Sequence, residues 1–142
     1  MSEKKKAFRE IEHTADLGIE VEAENLPQLF SAAGEALFGL IVDPTGVEPR
    51  EEILVSAKSE GWEELLHAWL CELLAQFNLK GFVGKKCEAN IVEPGLVEAS
   101  VKGESLDLKR HRFYTETKGV NYHGLKVWEE NGKWHARVIF DV

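Results

Sequence analysis

Two residues at the end of the sequence, Asp141 and Val142, and one near its start, Asp16, are the first that could do chemistry together. If the last strand is ordered to its end, the Asp141 side chain and the Val142 α-carboxylate bring two anionic groups side by side. Such a pair repels itself unless it is solvated or neutralised, and a hard cation neutralises it well. A third carboxylate from Asp16 would complete an oxygen-only donor set that suits Ca²⁺ or Mg²⁺ better than zinc. Each residue also has an ordinary reading. An aspartate in a tight connection makes a local backbone bond, and a penultimate aspartate sits on a frayed end. The residues alone leave both readings open.

Five histidines accompany these carboxylates. His67 falls between core positions of a helix, and His135 alternates with apolar residues on the last strand, so both read as structural or surface groups. His13 and His123 stand at strand ends beside small or turn-forming residues, where a rigid scaffold presents chemistry. The run Lys109-Arg110-His111-Arg112-Phe113-Tyr114 mixes basic and aromatic side chains. It reads either as a contact for phosphates or an acidic partner, or as a solvated loop whose Phe113 and Tyr114 tuck into the core. Lys118 would extend the same positive surface.

Other signatures are missing. There is no GxGxxG, GxSxG or HExxH, and Gly81-Phe82-Val83-Gly84-Lys85 has too short a spacing for a phosphate loop. It reads instead as a helix stop and a strand start. Cys71 and Cys87 form neither a CxxC nor a disulfide framework, which points to a reducing, cytoplasmic compartment. The polar start has no apolar segment after it, and no stretch is apolar enough for a membrane span. With 142 residues, 44% hydrophobic, the chain is expected to form one domain over 1–142. Its net charge of −8 argues against a general nucleic-acid coat, though not against a local basic patch.

Elements that would position these residues follow from periodicity. Strands are expected at about 8–13 and 18–24, where Ile19, Val21 and Ala23 alternate with glutamates. Asn25 caps a helix that carries Leu29, Phe30, Ala33, Leu37 and Leu40 on one face and stops at Asp43-Pro44-Thr45-Gly46. After a strand at 51–59, a second helix from Trp62 to Leu79 shows the strongest apolar stripe, and Gly81 ends it. Further strands are expected at 86–93, 96–102, 115–122, 125–130 and from Trp134 onward, with turns at Pro94-Gly95, His123-Gly124 and Asn131-Gly132. On the last strand His135, Arg137, Ile139 and Asp141 share one face. The expected fold is α+β, a two-layer arrangement of two main helices packed on a largely antiparallel sheet.

Four segments in order resemble the archease family, whose members activate the tRNA-splicing RNA ligase. They are Glu12-His13-Thr14-Ala15-Asp16, Asp107-Leu108-Lys109-Arg110-His111, Lys118-Gly119-Val120-Asn121-Tyr122-His123, and the ending Phe140-Asp141-Val142. Thr117, Gly119 and Asn121 depart from the family's more usual Ile, Ala and Thr. The resemblance implies an activator rather than an enzyme. It would act in tRNA processing by promoting guanylylation and multiple turnover of the GTP- and metal-dependent ligase. It further implies a divalent cation, calcium with magnesium or manganese as substitutes, at Asp16, Asp141 and the Val142 terminus. His13, Lys118 and His123 would then orient those carboxylates or touch the partner, and RNA would associate only through the ligase. Two rival readings are a chaperone-like binding module for an RNA-modifying methyltransferase and a small metal-dependent phosphoesterase.

Overall fold

The computed structural model describes residues 8–13 and 16–142, so Thr14 and Ala15 of the expected N-terminal connection, like the start of the chain, lie outside the described residues. Among the described residues, seven strands and two helices follow one another. β1 (Arg9–His13) and β2 (Asp16–Ala23) lead into α1 (Leu26–Ile41), a short 3₁₀ turn at Pro44–Gly46 and β3 (Glu51–Lys58). α2 (Trp62–Lys80) is followed by β4 (Phe82–Glu93), β5 (Leu96–Ser105), β6 (Gly119–Glu130) and β7 (Lys133–Asp141). The α+β class and both helices are as the periodicity predicts, and every strand pair is antiparallel. The strands divide into two sheets, ordered β1-β2-β7-β6 and β3-β5-β4.

Local chemistry sets most boundaries. Asn25 Oδ1 accepts a bond from Gln28 N at 2.9 Å, and Pro27 occupies the first turn of α1, where its missing N–H costs nothing. Gly81 ends α2 in the left-handed conformation (φ 68°), with its N–H returning to the last turn. Asn131 and Gly132, both at positive φ, turn the β6–β7 hairpin.

The core lies where the helices meet both sheets. Leu65, Leu66, Trp69, Leu70, Leu73 and Leu74 of α2 are buried, as the apolar stripe predicts, whereas Trp62 and Phe77 at its ends are half-buried. Trp69 is fully enclosed and donates Nε1–H to Phe30 O of α1 at 2.9 Å, so the largest core side chain also ties the helices together. The helices then hold strand backbones through polar side chains. Glu35 accepts from Cys87 N at 3.0 Å and Ser31 Oγ from Ala89 N at 2.9 Å, while Glu63 accepts from Val127 N at 3.0 Å.

Three local expectations need correction. β4 starts at Phe82 rather than Lys86; it runs through Gly84, where a Cβ would lie 2.6 Å from the Phe38 ring, and a register shift follows at once. Residues 119–130 form one strand rather than two parted by His123-Gly124. Pairing shifts between Asn121↔Ile139 and Lys126↔Arg137, so the extra residues form a bulge without ending the strand. Finally, Phe113 and Tyr114 do not tuck into the core. They are 42% and 49% exposed, and His111 is the buried member of that run.

Candidate metal centre

Strand register builds this site. In the β2–β7 ladder Asp16 pairs with Asp141, and in the β6–β7 ladder Gly119 pairs with Asp141. β1 adds His13 opposite Asp16, so His13, Asp16, Asp141 and Gly119 form one row across the four-stranded sheet. The His13 side chain lies outside the described residues. Directly opposed residues of an antiparallel pair have Cβ atoms about 4.5–5.5 Å apart, and like charges placed so are destabilising. Neither carboxylate has a side-chain hydrogen bond or ion pair to another described residue. Gly119 leaves the far end of the row without a side chain, and a Cβ there would already touch Asp141 Oδ2 at 3.7 Å.

The backbone of the row, unlike its carboxylates, is hydrogen-bonded. Asp141 O accepts a bond from Lys118 N at 2.7 Å, which docks the start of β6 on the end of β7. Next to that bond, Thr117 is buried and its Oγ1 has no partner among the described residues. Val142 follows Asp141 directly and is 37% exposed.

Beside the aspartates a groove of about 390 Å³ opens on the same face, with Asp16, Asn121, His123, Lys126 and Arg137 among its walls. The β6 bulge makes it. Gly124 lies flat on Ile139, where a Cβ would come within 2.6 Å of Ile139 Cγ1, and donates its N–H to Asn121 Oδ1 at 3.1 Å. His123 is thereby carried to the rim. Arg137 holds Glu20 through Nε at 3.1 Å and Nη2 at 3.0 Å, and Arg9 holds the other oxygen of Glu20 at 2.6 Å.

Asp16 and Asp141 are therefore brought together, His13 lies beside them at the backbone, and His123 shares the groove with Asp16. Lys118 touches the row through its backbone N–H, and its exposed side chain has no bond to another described residue. Lys126, Arg137 and Asn121 were not foreseen as site residues. The alternation of β7 already placed Arg137 on the face of Asp141, whereas the bulge that brings Lys126 and Asn121 has no local sequence signal. Among the described residues, no group of three or more His, Cys, Asp or Glu side chains could hold a metal ion. Two opposed carboxylates remain, a donor chemistry that fits a hard divalent cation and not a soft one.

The basic-aromatic run has a different fate. Glu104, nearly fully buried, accepts from Arg110 Nη2 at 2.8 Å, from Glu48 N at 2.8 Å and from His111 Nε2 at 2.8 Å. Asp107 N donates to His111 Nδ1 at 2.8 Å, so the imidazole proton is on Nε2 and points at Glu104. The Arg110 hydrogen bond above all, with the Glu48 amide and His111 behind it, outweighs burial and holds the Glu104 carboxyl down at about 2. Arg110 is thus spent on the protein's own carboxylates. Lys109 and Arg112 stay exposed, with Arg112 lying over the Tyr114 ring at 5.6 Å.

Across the described residues no helix is long and apolar enough to cross a membrane. Residues 8–142 match the model of the Archease protein family (MTH1598/TM1083). Protein archease of Methanopyrus kandleri is 38% identical over 138 residues, covering 95% of this chain and 99% of that protein. Protein archease of Pyrococcus abyssi is 35% identical over 141 residues, covering 96% and 99%. The solution structure of Methanobacterium thermoautotrophicum protein 1598 superposes with a TM-score of 0.82 at 31% identity, covering 97% of this chain and 100% of that one. The crystal structure of a Thermotoga maritima archease, described as a possible chaperone, reaches 0.62 at 19% identity over 100% of this chain and 99% of that one, and bears on the fold alone.

Proposed function

This chain belongs to the archease family, and from that premise we propose that it is an activator of the GTP- and metal-dependent tRNA-splicing RNA ligase and not itself an enzyme. The observation that carries the reading is the register that sets Asp16 against Asp141 at one end of the four-stranded sheet. Two like charges held opposite each other by backbone bonds form a preorganised demand for a cation. Asp16 and Asp141 would hold calcium, or magnesium or manganese in its place, and a free α-carboxylate on Val142 would add a third oxygen donor. When bound, the ion supplies positive charge that can offset a phosphate during guanylylation. The chain's own share is to present those carboxylates side by side at the end of the sheet, where a partner's active site can meet them. Lys118 N–H fixes the Asp141 backbone for that purpose, and His13 and His123 border the same tip as orienting or partner-contacting groups. RNA would be met through the ligase, in keeping with the net charge of −8.

The test is GMP transfer to the ligase over several turnovers, with this protein at substoichiometric amounts. Large acceleration by the wild type, lost in Asp16→Ala and Asp141→Ala variants that keep their fold, is the expected result. Full stimulation by a folded double variant would sink the carboxylate mechanism. The rival reading is a chaperone-like binding module for an RNA-modifying methyltransferase. Under it, Asp16→Ala leaves partner binding intact and the ligase gains nothing from the wild type.

A further inference from the structure

We infer that the groove beside the aspartate row is a phosphate site that fills only together with a divalent cation, its ligand being the phosphate of a mononucleotide. The inference rests on the metal-holding role proposed for Asp16 and Asp141 and extends it to residues of a different kind. Asp16 forms one end of the groove, while Lys126, Arg137, His123 and Asn121 line the rest. All four are hydrogen-bond donors with capacity to spare. Lys126 and His123 have no hydrogen bond or ion pair to another described residue. Arg137 spends two of its five N–H directions on Glu20. Asn121 turns its carbonyl oxygen to Gly124 N, which leaves its NH₂ for a ligand.

Charge decides when the site can fill. Along this face the register sets Arg9, Lys126, Lys133 and Arg137 against Asp16, Glu20, Glu22, Glu130 and Asp141, one negative charge in excess, so an anion approaching the empty groove gains no net attraction. A divalent ion on the aspartates tips the balance positive, and phosphate oxygens can then reach both the ion and the Lys126–Arg137 pair. The dimension is small: Asp141 and Arg137 are four residues apart on β7, roughly 14 Å at strand rise. The chain's overall net charge of −8 repels an extended polyanion, which selects a single nucleotide phosphate over a length of RNA. Binding linkage requires reciprocity: whatever factor the cation adds to phosphate affinity, phosphate adds to cation affinity.

The test titrates the full chain with Mn²⁺ and reads the free ion by electron paramagnetic resonance, with and without GMP, guanosine serving as the control lacking phosphate. Direct Mn²⁺–GMP association is measured separately and subtracted. The expected result is Mn²⁺ affinity raised about tenfold by GMP and unchanged by guanosine. Lys126→Ala should abolish that gain while leaving Mn²⁺ affinity without GMP as it was. Lys133→Ala, a charge change at the far end of the neighbouring strand β7, should leave both unchanged. Mn²⁺ binding that ignores GMP overturns the phosphate site while the metal reading stands. Failure to bind Mn²⁺ at all overturns the metal reading and this inference with it. Equal GMP binding with and without Mn²⁺ overturns the conditional form, and an equal loss in Lys126→Ala and Lys133→Ala overturns the groove as its location.

Discussion

Glu104 sits in the protein with a guanidinium, an imidazole N–H and a backbone amide aimed at its two oxygens, at 2.8 Å each. Asp16 and Asp141 sit opposite each other with no described side chain answering either of them. One chain thus treats its carboxylates in two ways. Around Glu104 the charge is consumed in holding the segment that links the two sheets, and little is left for an outside ligand. At the sheet end the backbone is ordered and the charge is left unspent. A buried charge with complete pairing is costly to disturb, and an unpaired pair at a surface costs little to keep and can bind.

The largest expected effect comes from breaking the satisfied side. Glu104→Ala strands Arg110, the His111 Nε2–H and the Glu48 amide, and should cost about 3 kcal/mol in urea unfolding. An unchanged midpoint would show that the network is ornamental. Its pH signature follows from the sign of the shift. The folded carboxyl, at about 2, lies below its ordinary value of 4.5, so the unfolded chain binds more protons between them. The stabilisation is complete above about pH 4.5 and is lost as pH falls toward about 2. Glu104→Gln should flatten that part of the stability–pH curve.

A smaller effect is expected next to Asp141. Thr117 Oγ1 is buried without a partner, so Thr117→Val, which keeps the shape and removes the hydroxyl, should stabilise by about 1 kcal/mol in the same assay. Loss of stability would mean that the hydroxyl is used. The smallest change is Asp141→Asn, which relieves the like-charge pair and should raise apo stability by about 0.5 kcal/mol. The same variant sharpens the contrast when calcium is added. Wild type at a hundred times its dissociation constant should gain about 2.7 kcal/mol, and Asp141→Asn should gain far less. Equal thermal shifts in the two proteins would remove Asp141 from the site.

What the sequence made legible was local. Asn25 as a cap, Gly81 as a stop, Asn131-Gly132 as a hairpin and the α2 stripe each depend on a few neighbouring residues, and each is where expected. The division into two sheets was not legible, because pairing between strands far apart in sequence leaves no short-range trace. The β6 bulge was mistaken for a turn for a related reason. His123-Gly124 has turn composition, and only the packing of Gly124 on Ile139 keeps the strand going. Likewise His111 read as part of a basic run, since nothing nearby in sequence announces Glu104 as its partner. Of the site, the residue types and the alternation of β7 pointed to Asp16, Asp141 and the face of Arg137. The groove itself needed the bulge.

The three helix side chains that hold strand amides have a consequence outside the fold. β4 and β6 are edge strands of their sheets, and an edge with free N–H groups is an invitation to a strand from another molecule. Glu35 and Ser31 occupy the outward amides of Cys87 and Ala89, and Glu63 occupies that of Val127. An incoming chain therefore finds those donors already engaged. The glutamate and serine side chains that anchor the sheets also act as gatekeepers against sheet extension, and removing them would uncover donors on two edges at once.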